Sequence, residues 1–391
     1  MKKKVLIRAP LLTVSGYGEH SRQIFRWAAA REDFDVKVQI LNWGNTTWMI
    51  NPELEDGLIG KIMSSTVSEE DMGTFDLSVQ VQLPDEWDKT VAKNNIGVSA
   101  FVETDRCPER WIECCNAMDA VIVPSEHVRQ TILRTGKPTS PVFVVSETFP
   151  DNMLNNEILP LDIELDTDFN FLIVGQFTGG DSLSDRKNLF STLKWVCEEF
   201  AEDSRVGIVI KANHGRGTRI DRKLTHNTVE KILNEVRTGE YPKVHIVHGI
   251  MSSKEMTALY RHPTIKCFIS ATRGEGFGLP LLESAVSGIP VIATNWSGHL
   301  DFLRLGKFIP INYTLTEIPS SRVDDRIFEK GFKWADPIES DFKKKIKKFR
   351  HHSEKPAQWA KDLSETLKSK LCQSEINKEY TQVASKVLEH K

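Results

Sequence analysis

Short apolar runs alternate with amphipathic stretches along the whole chain. In the first half, the apolar runs predict strands at residues 4–9, 35–41, 75–81, 95–101, 120–123 and 142–145. Between them, apolar positions recur at helical spacing over 17–30 and 125–134, and Ser125, just behind Pro124, is placed to cap the second helix. A stretch rich in Asp, Asn and Glu, 149–168, interrupts the pattern. The alternation then restarts, with strands at 169–177, 206–212, 243–247, 265–270 and 290–294 and helices at 188–200, 222–236, 252–261 and 280–287. Apolar strands separated by helices imply parallel sheets covered on both faces. The predicted fold class is therefore α/β, with two doubly wound parallel-sheet domains facing each other across a cleft and divided near residue 160. Ligands of such sheets bind beyond the carboxyl ends of the strands, so the cleft is the expected active site.

Composition narrows the function classes. Of the 391 residues, 40% are hydrophobic and 27% charged, the mix of a soluble globular chain with room for two cores. Lys+Arg 51 against Asp+Glu 54 gives a net charge of −3. That balance lacks the basic surplus of backbone-reading nucleic-acid binders. The basic run 343–348 (KKKIKK), in a polar helical tail from residue 342 onward, reads as a solvated helix face. Val5-Leu6-Ile7 is cut by Arg8 and Pro10, so no secretory segment is expected, and no apolar run is long enough to span a membrane. Six cysteines show no paired C-x-x-C spacing; they are read as reduced thiols of a cytosolic protein.

The chemistry concentrates in residues 265–302. The strand ending at Ser270 runs into Gly274-Glu275-Gly276-Phe277-Gly278-Leu279, and Pro280 then sits at a helix start, where its fixed φ and missing N–H are suited. Glycines let the backbone approach a ligand closely, and the N–H groups of a helix start favour an anion. Such a turn is built as a diphosphate cradle. Glu275 and Glu283, with seven residues between them, frame it. A carboxylate repels phosphate, so hydroxyl groups are the natural partners: a ribose diol for Glu283 and a transferred sugar for Glu275. The plainer alternative makes Glu275 a turn residue and Glu283 a carboxylate favoured by the helix dipole.

The run E-G-F-G-L-P-x-x-E, followed by A-x-x-G-x-P-V-I-A-T and S-G, resembles the retaining glycosyltransferases of family 4, which have the GT-B fold. That fold is two Rossmann-like domains. The resemblance implies an N-terminal acceptor-side domain over 1–162, with a final helix at about 375–391 packing back on it. It implies a nucleotide-sugar-binding domain over 163–374. Val174-Gly175-Gln176-Phe177 and then Arg186-Lys187-Asn188 resemble the family's strand and following R-K pair, which contacts the donor diphosphate. Many relatives have Arg where Gln176 stands, so the resemblance leaves that charge to Arg186, Lys187 and Lys211. Ser15-Gly16-Tyr17-Gly18-Glu19-His20 resembles the loop laid over the donor phosphates, and Gly249-Ile250-Met251 resembles the loop beside the base. The segment 101–105, with Pro108, Trp111, Asp119 and Val123-Pro124-Ser125, is similar to a subset of the family; Glu103 stands near the place of the family's usual His.

What the resemblance implies is transfer of a sugar, with retention, from a UDP-, GDP- or ADP-linked donor to a glycan, lipid-linked or other hydroxyl acceptor. Cell-surface glycan synthesis is the common context, in the cytoplasm or peripheral at a membrane. Neither a metal nor a cofactor is expected. Strand alternation sends His245 and His248 to opposite faces, and Asp181 behind Gly179-Gly180 reads as a loop residue. Trp43, Trp48 and Trp296 are candidates to line an acceptor groove. A nucleotide-sugar epimerase or a non-catalytic sugar-nucleotide-binding scaffold are the competing readings, and an epimerase would consume no acceptor.

Overall fold

A computed structural model describes residues 2–68, 75–155, 159–178, 181–212, 215, 217–237 and 239–389. The chain divides into two compact units, Met1–Thr148 with Leu371–Lys391, and Phe149–Lys370.

In the first unit the order is β1 (Lys3–Ala9), α1 (Gly16–Ala29), β2 (Phe34–Ile40), α2 (Leu58–Ser64), β3 (Phe75–Val81), β4 (Ala92–Val98), α3 (Arg110–Asn116), β5 (Ala120–Val123), α4 (Glu126–Thr135) and β6 (Val142–Val144). The six strands pair in parallel in the order β2-β1-β3-β4-β5-β6. The connections reverse direction between β1 and β3, and the glycine-rich segment after β1 opens at that switch point. Leu6, Val79, Ile96 and Val121 are almost wholly buried, which is why these runs read as continuous apolar strands. Ser125 Oγ does cap α4, accepting from the Val128 N–H at 3.3 Å. The strand predicted to reach residue 101 stops at Val98. Beyond it Phe101, buried between Trp87 and Trp111, takes a φ of 53°, which a strand cannot hold.

The second unit runs β7 (Phe169–Gly175), α5 (Leu189–Glu199), β8 (Val206–Ala212), α6 (Arg219–Val236), β9 (Lys243–Val247), α7 (Ser253–Tyr260), β10 (Ile265–Ser270), α8 (Leu279–Val286), β11 (Val291–Thr294), α9 (Leu300–Leu303) and β12 (Ile309–Ile311). A two-stranded antiparallel hairpin follows, β13 (Tyr313–Glu317) and β14 (Lys333–Pro337), then α10 (Glu339–His351) and α11 (Glu354–Lys370). The parallel sheet has the order β12-β11-β10-β7-β8-β9, so its switch point lies between β7 and β10. Phe171, Val196, Ile208, Phe342, Ile346 and Phe349 are core residues, which seats α10 against the sheet by one apolar stripe. Its other face carries the basic run. Lys343 pairs with Glu198 at 2.6 Å, Lys345 with Asp341 at 2.8 Å and Lys347 with Glu199 at 2.9 Å, and Lys344, Lys347 and Lys348 are exposed, so the run is a solvated face laced with ion pairs.

The chain then returns to the first unit as α12 (Gln373–Glu389). His20 Nε2 lies 2.7 Å from the Tyr380 hydroxyl, Trp27 Nε1 donates to Thr381 Oγ1 at 3.0 Å, and Gln373 Nε2 donates to the Gln23 carbonyl at 3.1 Å. The units part at Thr148 and Leu371 rather than at residues 162 and 374. Past Thr148, a 3-10 turn at Asp151–Leu154 fastens to α7: Asn152 Nδ2 donates to Thr257 Oγ1 at 2.7 Å, and Arg261 donates to the Asn155 and Met153 carbonyls at 2.6 and 2.7 Å.

Candidate active site

Two loops leave the switch point of the second unit: one follows β7 and the other follows β10. Asp185, fully buried, organises the first. Its carboxylate accepts from Thr178 N and Oγ1 at 3.1 and 2.7 Å and from Leu189 N at 2.6 Å, tying the loop to the start of α5. Asn188, at φ 53°, turns the chain and donates from Nδ2 to the Ala271 carbonyl at 3.0 Å. Between these anchors stand Arg186 and Lys187. Arg186 Nη1 donates to the Gly274 carbonyl at 2.5 Å, and Lys187 Nζ lies 2.7 Å from each oxygen of Glu275. Arg186 also stands 3.5 Å from that carboxylate. Glu275 is only 6% exposed. Burial pushes its carboxyl up, but the charges of Lys187 and Arg186 and the Lys187 hydrogen bond outweigh burial and hold it at about 2. The sequence-predicted R-K pair and first glutamate thus form one buried ionic cluster.

The backbone of Glu275 is fixed as firmly as its side chain. Its N–H donates to Ser297 Oγ at 2.9 Å, and its carbonyl accepts from Gly298 N at 2.9 Å. Ser297 sits at φ 86°, a conformation that L side chains rarely adopt. Buried His299 must donate from Nε2 to the Thr294 carbonyl at 2.7 Å, since a carbonyl only accepts. Burial also lowers its pKa, so it stands neutral, with Nδ1 free to accept from Ser297 Oγ at 3.4 Å. A relay from His299 through Ser297 therefore holds the peptide of Glu275.

Gly278 is the N-cap of α8 at φ 102°, and no side chain caps this helix start. A bound anion can take that role. Gly276 and Leu279 flank it, and the Phe277 ring is buried against Phe302 at 5.1 Å. Glu283 lies in the second turn, where its Oε2 accepts from the Tyr260 hydroxyl at 2.9 Å. Lys211, at the end of β8, donates to the Gly249 carbonyl at 2.7 Å, and burial lowers its pKa to about 8. Its cation thus anchors the loop in which Gly249 has φ 119° and Ile250 is exposed. Gln176 is exposed beyond β7.

In the first unit, Ser15 caps α1 by accepting from Gly18 N at 2.9 Å. Gly16 is exposed, and Tyr17 is occupied structurally: its hydroxyl meets Ser99 Oγ at 2.9 Å and accepts from Ala100 N at 3.0 Å, while its ring stacks on Trp43 at 3.9 Å. Burial and the nearby Glu103 both contribute to raising the phenol's pKa, so Glu103 lies within electrostatic reach of Tyr17. Trp43 is thereby a packing partner of Tyr17. Trp48 is part-exposed, and Trp296, in the second unit, is buried near Tyr313.

Asp181 accepts from Leu183 N and Ser184 N at 2.9 and 2.8 Å, a turn-forming role; Gly179 and Gly180 lie outside the described residues. Among the described residues, no group of three His, Cys, Asp or Glu is arranged to hold a metal, and no helix is long and apolar enough to cross a membrane. Sequence reasoning missed Asp185, Tyr260, Arg273 and His299. Only His299 carried a signal, standing directly behind the recognised S-G.

Residues 226–363 match the family model described as Glycosyl transferases group 1. That segment is similar to the glycosyltransferases of group 1. The match covers β10, the glycine-rich turn and both glutamates. No curated protein matches the chain in sequence. Among solved structures, a sucrose-phosphate synthase from Thermosynechococcus elongatus is similar over 100% of both chains, at 12% identity and a TM-score of 0.64. Anabaena Alr3699/HepE, solved in complex with UDP and glucose, is similar over 98% of this chain and 100% of its own, at 12% identity and a TM-score of 0.62. A chain of the GtfA/B complex matches 80% of this chain at 14% identity and a TM-score of 0.51, and the match spans 57% of that longer chain. Likeness at such low identity establishes the fold, which is GT-B.

Proposed function

We propose that this protein is a glycosyltransferase that uses a nucleotide-sugar donor, needs no metal or cofactor, and transfers the sugar with retention to a hydroxyl acceptor. The observation that carries the reading is the cluster of Arg186, Lys187 and Glu275 beside the uncapped start of α8. A departing nucleoside diphosphate gains negative charge. Two fixed cations and a helix start stabilise that charge without reorganising, in the role a metal would otherwise take. Lys187 exchanges its bond with Glu275 for the incoming phosphate, which frees the carboxylate for the sugar hydroxyls. In the transfer, the bond from the anomeric carbon to the diphosphate oxygen breaks and the acceptor oxygen bonds that carbon on the same face. The acceptor proton passes to the departing diphosphate. Glu283, oriented by Tyr260, takes the ribose diol, and Lys211 steadies the loop beside the base. HepE, of the same fold, was solved with UDP and glucose, which supports a donor of this class. Acceptor recognition belongs to the first unit, including Glu103, and a cytoplasmic role in surface-glycan synthesis fits these assignments.

The test is a thermal-shift and hydrolysis panel with UDP-, GDP- and ADP-glucose, with and without EDTA. One nucleotide should raise the melting temperature and be released slowly as diphosphate, unaffected by EDTA. Stabilisation by none of them, or only with added metal, would overturn the reading.

A further inference from the structure

Arg273 is a buried cation one residue away from the diphosphate cradle, with no role yet assigned. It is 5% exposed. Its Nη1 donates to the Ser182 and Asp185 carbonyls at 2.8 and 2.6 Å, closing on the loop that presents Arg186 and Lys187. Its Nε donates to Asp336 Oδ1 at 3.0 Å, and its guanidinium lies 5.5 Å from the Trp334 ring centroid, both residues of β14. Its backbone repeats the same connection. The Arg273 N–H donates to the Arg186 carbonyl at 2.9 Å, and the Arg273 carbonyl accepts from Ala335 N at 3.0 Å. The residue that leads into the glycine-rich turn therefore joins the cation-bearing loop on one side to the β13–β14 hairpin on the other.

We propose that Arg273 is a positioning residue that sets Arg186 and Lys187 for the donor diphosphate, with Asp336 and the hairpin as its buttress. The planar fork of a guanidinium explains the choice of residue. It reaches two carbonyls through one nitrogen and a carboxylate through another, which an ammonium on a flexible stem cannot do in the same plane. The buried Asp185 carbonyl, on losing its donor, must seek another, and it can do so only by moving the loop. Arg273 touches no reacting atom; it acts through its neighbours. The proposal rests on the donor-site reading above for what the two cations bind, but the clamp itself can be observed without any donor.

The experiment compares wild type with Arg273→Lys and Asp336→Asn in two measurements. Hydrogen–deuterium exchange of the peptides spanning residues 181–189 reads the clamp. Calorimetric affinity for the nucleoside diphosphate and for the corresponding free nucleoside reads the positioning. Arg273→Lys should raise exchange in 181–189 while leaving the peptides of β8 unchanged. It should weaken the diphosphate by about 10–100-fold and the nucleoside by less than about 3-fold, because only the phosphates meet the displaced cations. Asp336→Asn, which keeps the fork, should show the same selectivity with a smaller loss, about 3–10-fold. Unchanged exchange in 181–189 would overturn the clamp. An equal loss of diphosphate and nucleoside, or no loss of either, would overturn the positioning role. A wild type that binds none of the three diphosphates would overturn the donor reading and the positioning role together. Failure confined to the variants would count against this proposal alone.

Discussion

Both units open a helix behind a glycine-rich turn at the switch point of a parallel sheet, yet the two helix starts are differently built. In the first unit Ser15 supplies the capping oxygen for α1, and the adjacent Tyr17 spends its hydroxyl on Ser99 and Ala100. In the second, Gly278 caps α8 with no side chain, and Arg186 and Lys187 stand beside it. A helix start that satisfies itself has little electrostatic need of a ligand; one left without a side-chain cap among fixed cations does. Two G-x-G signals of similar appearance therefore carry different weight. What separates them is the chemistry of the neighbouring residues, not the glycines.

The largest effect should come from the second unit. Lys187→Ala should lower turnover at least ~100-fold in a donor-hydrolysis or transfer assay, since it removes a fixed charge from the departing diphosphate. Ser15→Ala in the first unit should cost only ~1 kcal/mol of stability and little turnover at saturating donor. Comparable turnover losses from the two variants would erase the distinction.

The glycines sharpen it further. A Cβ at Gly18 would stand 2.1 Å from the Thr13 carbonyl oxygen, a backbone atom, so Gly18→Ala should destabilise the first unit by ~3 kcal/mol in urea titrations. At Gly278 the nearest atoms are side-chain carbons of Leu281 and His299, at 3.1 and 3.3 Å, and the strain is mostly in φ. Gly278→Ala should therefore cost ~1–2 kcal/mol, with a loss of diphosphate affinity alongside.

Lys211 predicts a pH effect of known sign. Burial lowers its pKa from 10.5 in the unfolded chain to about 8 on folding. Between those values the unfolded state holds more protons, so Lys211 makes stability rise with pH from about 8 upward. Lys211→Met should flatten that rise in pH-dependent denaturation, and donor affinity of the wild type should decline above about pH 8 as the cation is lost. The smallest effect is expected at Gly16, where a Cβ would meet nothing within 4 Å. Gly16→Ala should change stability by less than ~0.5 kcal/mol. A fall in activity at that position would therefore report a ligand coming close to the backbone.

The sheets were legible because buried parallel strands are continuous apolar runs, and β1, β3, β8 and β10 lie almost where the periodicity places them. The β13–β14 hairpin was not, because Tyr313–Glu317 is short and largely exposed, and Lys333–Pro337, though Trp334 and Ala335 are buried, is short and interrupted by Asp336. The site divides in the same way. Glu275, Glu283, Arg186 and Lys187 stand in motifs whose order along the chain is their signature. Arg273 acts through residues far away in sequence, Asp336 and Ala335 on one side and the Ser182 and Asp185 carbonyls on the other, and local pattern carries no trace of such partners. Phe101 shows the limit from another side: an apolar residue at the end of a strand pattern leaves the strand because its ring is wedged between two tryptophans.

The return of the chain through α12 also orders events during synthesis. The first unit begins at the N-terminus, yet the residues that cover Trp27 and His20, Thr381 and Tyr380, leave the ribosome only after the whole second unit. Domains ordinarily fold in the order in which they emerge. Here the later-made unit is the first that can be finished, and the earlier one must wait with one side of α1 bare to chaperones.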